Sequence, residues 1–173
     1  MVGGYSPNDR YNGIIISSYD EYQCNQQPGS TKAAYARIGT VKLDDVSDGL
    51  SNTILVGEKH IPADKLLDAV YDSSLYNGDE HESSMRAGGQ GYIDADGNPS
   101  NGKELFQINP IASGPRDSSL PNPFRSFGSW HSGGMCNFAL ADGSVRGISS
   151  SVNLDTLTRL CNRQDGQPIP GDY

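Results

Sequence analysis

Apolar residues along this chain fall into short clusters separated by long polar stretches. The first cluster, Ile14-Ile15-Ile16, centres a predicted strand over 13–19. A mixed segment over 34–42 can pair with it. The run Thr53-Ile54-Leu55-Val56 is β-branched and apolar, and lies between Ser51-Asn52 and Pro62. It predicts a strand over 53–59. Leu66, Leu67, Val70 and Tyr71 share a helical face, which predicts a short helix over 63–71. Near the C-terminus, two apolar stretches flank Asp142-Gly143 and predict a β-hairpin, with strands over 136–141 and 144–149. A two-residue type I′ loop at Asp-Gly would set Leu140 opposite Val145 and Phe138 opposite Gly147, so that Phe138, Leu140 and Val145 share the core face. A last helix, capped by Ser151 or Asn153, would bury Leu154, Leu157, Leu160 and Cys161.

Between these elements the chain is rich in turn residues. Leu43 to Gly49 reads as one helical turn stopped by its glycine. Asn77-Gly78, Gly88-Gly89-Gln90-Gly91, Asp96-Gly97-Asn98-Pro99 and Asn101-Gly102 mark 63–125 as a loop-rich insertion within a single domain spanning 1–173. The chain has 21 glycines and 10 prolines, and only 35% of it is hydrophobic. Its length suits one domain with a real core. The expected class is therefore α+β and β-rich, with long irregular loops.

Charge narrows the partners. The net charge is −8, which argues against nucleic acid and anionic membrane surfaces. No apolar run is long enough to span a bilayer. The N-terminus, Met1-Val2-Gly3-Gly4-Tyr5, lacks the basic and apolar regions of a signal peptide. Cys24, Cys136 and Cys161 contain no CxxC pair, which disfavours a zinc ribbon. One disulfide with a free thiol and three buried thiols are both open.

His131, Asp142 and a nearby serine invite a hydrolase reading, but no Gly-x-Ser-x-Gly nucleophile elbow is present. A structural role fits better, in which the His131 ring bonds loop backbone and fixes the strand entry. His60 and His81 stand singly, and are expected to be solvated or locally bonded. The oxygen-rich Asp94, Asp96 and Asn98 offer a candidate Ca²⁺ site, although they do not form an EF-hand loop. Asp72, Asp79, Glu80 and Glu82 form a second acidic cluster. Tyrosines crowd the N-terminal third, where they suit half-buried strands or a contact surface.

Three blocks carry a family resemblance. One runs from Val46 to Lys59, with Asp48-Gly49-Leu50-Ser51-Asn52-Thr53 and Gly57-Glu58 within it. The second is Phe127-Gly128-Ser129-Trp130-His131-Ser132-Gly133-Gly134, followed by Asn137 to Arg146 with Asp142-Gly143 within it. The third runs from Leu160 to Ile169. Together they resemble the DUF1559, or H-X9-DG, family of prepilin-type proteins typical of Planctomycetes. Ten residues separate His131 from Asp142 here in place of nine, and a bulge near Gly134-Met135-Cys136 would absorb the extra one. Gly147 stands where the family usually has an aromatic. The resemblance implies a pilin-like head with an antiparallel sheet, exported to the cell surface, periplasm or extracellular space. The N-terminal pilin helix is absent from this chain, and would be the only link to a membrane. The implied function is non-enzymatic: a structural or interaction subunit that associates with itself or with other pilin-like subunits. Some pseudopilins bind calcium, which extends the implication to Ca²⁺. A calcium- or carbohydrate-binding module is the alternative.

Overall fold

The computed structural model describes residues 2–5, 41–68, 71–72, 85–93, 105–170 and 173. The strands expected over 13–19 and most of 34–42 lie outside these residues, as do Cys24 and His81. The described strands are β1 (Val2–Tyr5), β2 (Ile54–Gly57), β3 (Met85–Ala87), β4 (Gly89–Ile93), β5 (Leu105–Asn109), β6 (Met135–Leu140) and β7 (Val145–Ser149). One α-helix, α1 (Leu154–Leu160), follows them. Five strands form a sheet in the order β3-β1-β2-β6-β7, and β4 and β5 form a two-stranded ribbon. All pairings are antiparallel except β1 with β3. The fold is α+β and β-rich.

The core gathers where β2, β6 and β7 meet α1. Ile54, Cys136, Phe138, Leu140, Ile148, Leu157, Leu160 and Cys161 are all buried there, joined by Phe127 and Ile111. Alternation along β6 buries Cys136, Phe138 and Leu140 and exposes Met135 and Asn137. Phe127 and Phe138 meet edge to face at 5.0 Å. Gly57 lies beneath this pair. A β-carbon there would come within 2.6 Å of the Phe138 ring and 2.8 Å of Phe127.

The hairpin exists, but its register differs from the expected one. Ala139 faces Val145, Phe138 faces Arg146 and Asn137 faces Gly147. Leu140 N–H donates to Ser144 O at 2.9 Å, and Gly143 N–H donates to Leu140 O at 3.0 Å. The loop is therefore the three residues Ala141, Asp142 and Gly143, with only Gly143 at positive φ (85°). A type I turn closed by a left-handed glycine accounts for this; type I′ would require positive φ at Asp142 as well. The one-residue change of register turns Val145 outward, where it is 69% exposed. The bulge also falls elsewhere. Pairing of β6 with β7 is continuous from Met135, and the irregularity lies in β2, between Ile54 and Val56.

Among its described residues, the segment expected as a helix over 63–71 is not α-helical. Ala63–Lys65 is a single 3-10 turn, and Leu66 and Leu67 are exposed. The expected turn at 43–49 is a 3-10 helix over Leu43–Asp45, and a second one, Leu50–Asn52, follows Gly49. Part of the loop-rich insertion belongs to the architecture, since it supplies β3 to the main sheet and the β4–β5 ribbon. Gly88 and Gly89 let α1 approach. A β-carbon on Gly88 would meet Cys161 Sγ at 2.6 Å, and one on Gly89 would meet the Thr158 backbone N at 2.5 Å. Gln90 N–H donates to Thr158 Oγ1 at 2.8 Å, and the Gln90 side chain donates to Asp155. Of the two expected helix caps, Asn153 is the one used: its Oδ1 accepts Asp155 N–H at 2.8 Å.

Candidate functional site

The chain beyond β2 changes partners at Glu58. Its N–H donates to Asn137 O in β6 at 3.2 Å, while its own carbonyl accepts Gly128 N–H at 3.0 Å. Lys59 then bridges to Phe127, and His60 N–H donates to Ser126 O. Glu58 thus stands at a fork between β6 and the segment 126–128, and its carboxylate spans the fork. Oε2 accepts Asn137 N–H at 2.7 Å, and Oε1 lies 2.8 Å from His131 Nε2. The first and second motif blocks of the chain meet at this carboxylate.

His131 is held by the loop that enters β6. Its N–H donates to Ser129 Oγ at 3.2 Å, and that hydroxyl donates to Met135 O at 2.6 Å. Gly133 (φ 90°) and Gly134 (φ 65°) turn the chain within this loop. A side chain at Gly134 would strike Ser150 Oγ at 2.8 Å. The His131 ring meets the Glu58 carboxylate, in place of the loop backbone expected for it. The Ser129 hydroxyl is committed to a carbonyl and is not aligned with the imidazole as a nucleophile would be.

A second clasp joins the first block to the third. Asp48 Oδ2 accepts Asp165 N–H at 2.7 Å, and Oδ1 accepts Gly166 N–H at 2.9 Å. Asp48 N–H in turn donates to Arg163 O at 3.2 Å. Burial pushes the Asp165 carboxyl above the ordinary range, and the nearby Asp48 charge adds to the shift. Gly49 (φ 95°) turns the chain away, Asn52 Nδ2 donates back to Asp48 O, and Ser51 is exposed in the 3-10 turn between them. The hairpin tip joins the first block too. Ala141 N–H donates to Thr53 O at 2.9 Å and Asp142 N–H to Leu50 O at 3.1 Å. Asp142 Oδ1 accepts both the N–H and the hydroxyl of Ser144, which holds its carboxyl below the usual range.

Asp94, Asp96 and Asn98 lie outside the described residues, as do Asp79, Glu80 and Glu82. Among the described residues, no group of three or more His, Cys, Asp or Glu is placed to hold a metal ion. Asp72 serves the local turn, where its Oδ2 accepts Leu67 N–H at 3.1 Å. The thiols of Cys136 and Cys161 are free and buried, and burial pushes both pKa values up to about 12. At Cys136 the Glu58 charge adds to that effect.

His60 corrects an expectation. It is fully buried, and neither ring nitrogen has a hydrogen-bond partner among the described residues. Phe127, Ser129 and the backbone of 163–166 lie inside the second and third blocks, but the sequence assigns them no role; the structure places them at the two clasps, with Gly166 at φ 65°.

No helix among the described residues is long and apolar enough to cross a membrane. No curated protein and no solved structure matches the chain. The model of one family, described as a protein of unknown function (DUF1559), matches residues 3–155, so the chain belongs to the DUF1559 family.

Proposed function

We propose that this chain is the head of an exported, pilin-like protein that works without catalysis, as a structural or interaction subunit assembling with itself or with other pilin-like subunits. The observation that carries this reading is how the motif side chains are used. Both oxygens of Glu58 and both oxygens of Asp48 accept hydrogen bonds within the fold, and most of the donors are backbone N–H groups. A carboxylate tied to the fold at both oxygens orders strands and tails, which supports a structural role for it. The motif carboxylates of the chain thereby serve its architecture, which suits a head that presents loops and sheet edges to partners.

Surface labelling of intact source cells tests the reading. The protein is expected to react with a membrane-impermeant amine reagent and to be removed by external protease. Electron microscopy of the same cells is expected to show the protein in filaments or other surface assemblies. Recovery solely from the cytoplasm, protected from both reagents, would overturn it.

A further inference from the structure

His60 lies just beyond the Glu58 fork, in surroundings that suit only a neutral ring. It is fully buried, and among the described residues neither Nδ1 nor Nε2 has a hydrogen-bond partner. A neutral imidazole in this state forfeits the bonds that water would give it. An imidazolium, with two N–H donors and a charge, forfeits far more. The packing around the ring is close. A β-carbon on Gly128 would stand 3.1 Å from the His60 β-carbon, 3.3 Å from Nδ1 and 2.6 Å from the Ala112 β-carbon. Burial lowers the His60 pKa; Asp117, from the 111–117 side, opposes that shift, and Arg86 of β3 adds to it. Arg86 is itself fully buried. Burial and then Arg86 lower the pKa of the neighbouring Lys59 as well, against Asp72. The segment 126–128 packs here with Ser126, Phe127 and Gly128, none of them charged. A proton on His60 would therefore add a cation beside Arg86 and Lys59.

The seam next to this ring is weak. His60 N–H reaches Ser126 O only at 3.4 Å, longer than an ordinary N–H···O bond. Gly128 N–H donates to Glu58 O at 3.0 Å, and Lys59 bridges to Phe127. Other bonds hold the segment from its far side: Ala112 N–H donates to Phe127 O at 2.8 Å, and Ala87 N–H to Arg125 O at 2.9 Å. The pairing of β6 with β7 runs from Met135–Ser149 to Ala139–Val145 without passing through His60. The seam can thus part as a local event while the hairpin stays paired.

We propose that His60 is a proton-operated latch between 58–60 and 126–128. With the ring neutral the seam is closed. A protonated ring moves to water, parts the seam and lifts Phe127 from Phe138, while β6, β7 and α1 keep their structure. In the open state the ring titrates near its ordinary value of 6.5, so each pH unit below that favours opening by up to about tenfold, until the closed form is protonated too.

Amide hydrogen exchange at pH 7 and pH 5, corrected for the intrinsic effect of pH on exchange, tests the latch. Protection at Gly128 is expected to fall by about tenfold or more, while Leu140 and Cys161 hold theirs within about threefold. His60→Gln is neutral at both pH values and is expected to keep Gly128 protection level. His60→Leu is expected to do the same without a polar side chain. Unchanged protection at Gly128 in the wild type overturns the latch. So does a loss shared equally by Leu140 and Cys161, which is global unfolding, or a loss at Gly128 that either variant retains.

Discussion

At the scale of single residues, the described core is governed by how closely groups approach. Gly57 has no β-carbon because two aromatic rings occupy that space, within 2.6 and 2.8 Å. Gly57→Ala is expected to destabilise the fold by about 1–3 kcal/mol through overpacking, read as a lower urea midpoint with an unchanged slope. The Glu58 carboxylate is a different kind of constraint. Glu58→Ala leaves the Asn137 N–H without its acceptor and is expected to cost about 1–3 kcal/mol in the same assay. His131→Ala removes only the more exposed arm of the clasp, since that side chain is 60% exposed. Its cost is expected to stay below about 1 kcal/mol. A catalytic His131 would show loss of an activity in the same variant, which the structural reading does not expect.

At the scale of elements, the hairpin shows how much one residue decides. The Asp-Gly pair announces a turn, and β6 and β7 follow its flanks, but the three-residue loop shifts the pairing by one and reverses the face of Val145. Gly143 at φ 85° has open space where a β-carbon would stand, so its constraint is conformational alone. Gly143→Ala is expected to lower stability by about 1 kcal/mol, and Gly143→Asn by less, because Asn tolerates the left-handed region. Equal melting temperatures for the two variants would contradict that account. In the described part of the helix expected over 63–71, a 3-10 turn stands instead. Leu66 and Leu67 are exposed there, and the turn closes through Asp68 and Asp72.

At the scale of the whole molecule, the buried polar groups set the response to acid. Burial pushes the His60 pKa down from 6.5; the Asp117 carboxylate opposes that shift and the Arg86 guanidinium adds to it. A base with a lowered folded pKa must be neutral in the fold, so its contribution is complete above pH 6.5 and is lost as pH falls below it. Asp117 acts in a separate window. Burial raises its pKa, but hydrogen bonds from Ser119 and Ser113 outweigh that and hold it well below the ordinary carboxylate range. Its contribution is complete above about pH 4 and is lost at lower pH. The melting temperature is therefore expected to fall between pH 7 and pH 5, with a further fall below pH 4. His60→Leu removes two unpartnered buried nitrogens and is expected to flatten the first fall while leaving the second. An identical pH profile for wild type and variant would assign the first fall to other groups.

The sequence by itself determined the local chemistry: where turns must occur, that Thr53-Ile54-Leu55-Val56 and the flanks of Asp142-Gly143 extend as strands, that Leu157, Leu160 and Cys161 face inward, and which blocks mark the family. These follow from short-range preferences, namely β-branching, helical period and positive φ at glycine. Only the tertiary structure decided the rest. It brought Glu58 to His131 across 73 positions and Asp48 to Asp165 and Gly166 across 117 and 118. It also buried His60 and set the hairpin register. No local pattern encodes these results, because most of the donors to the two carboxylates are backbone N–H groups, which every residue but proline carries, and only the folded path of the chain selects among them.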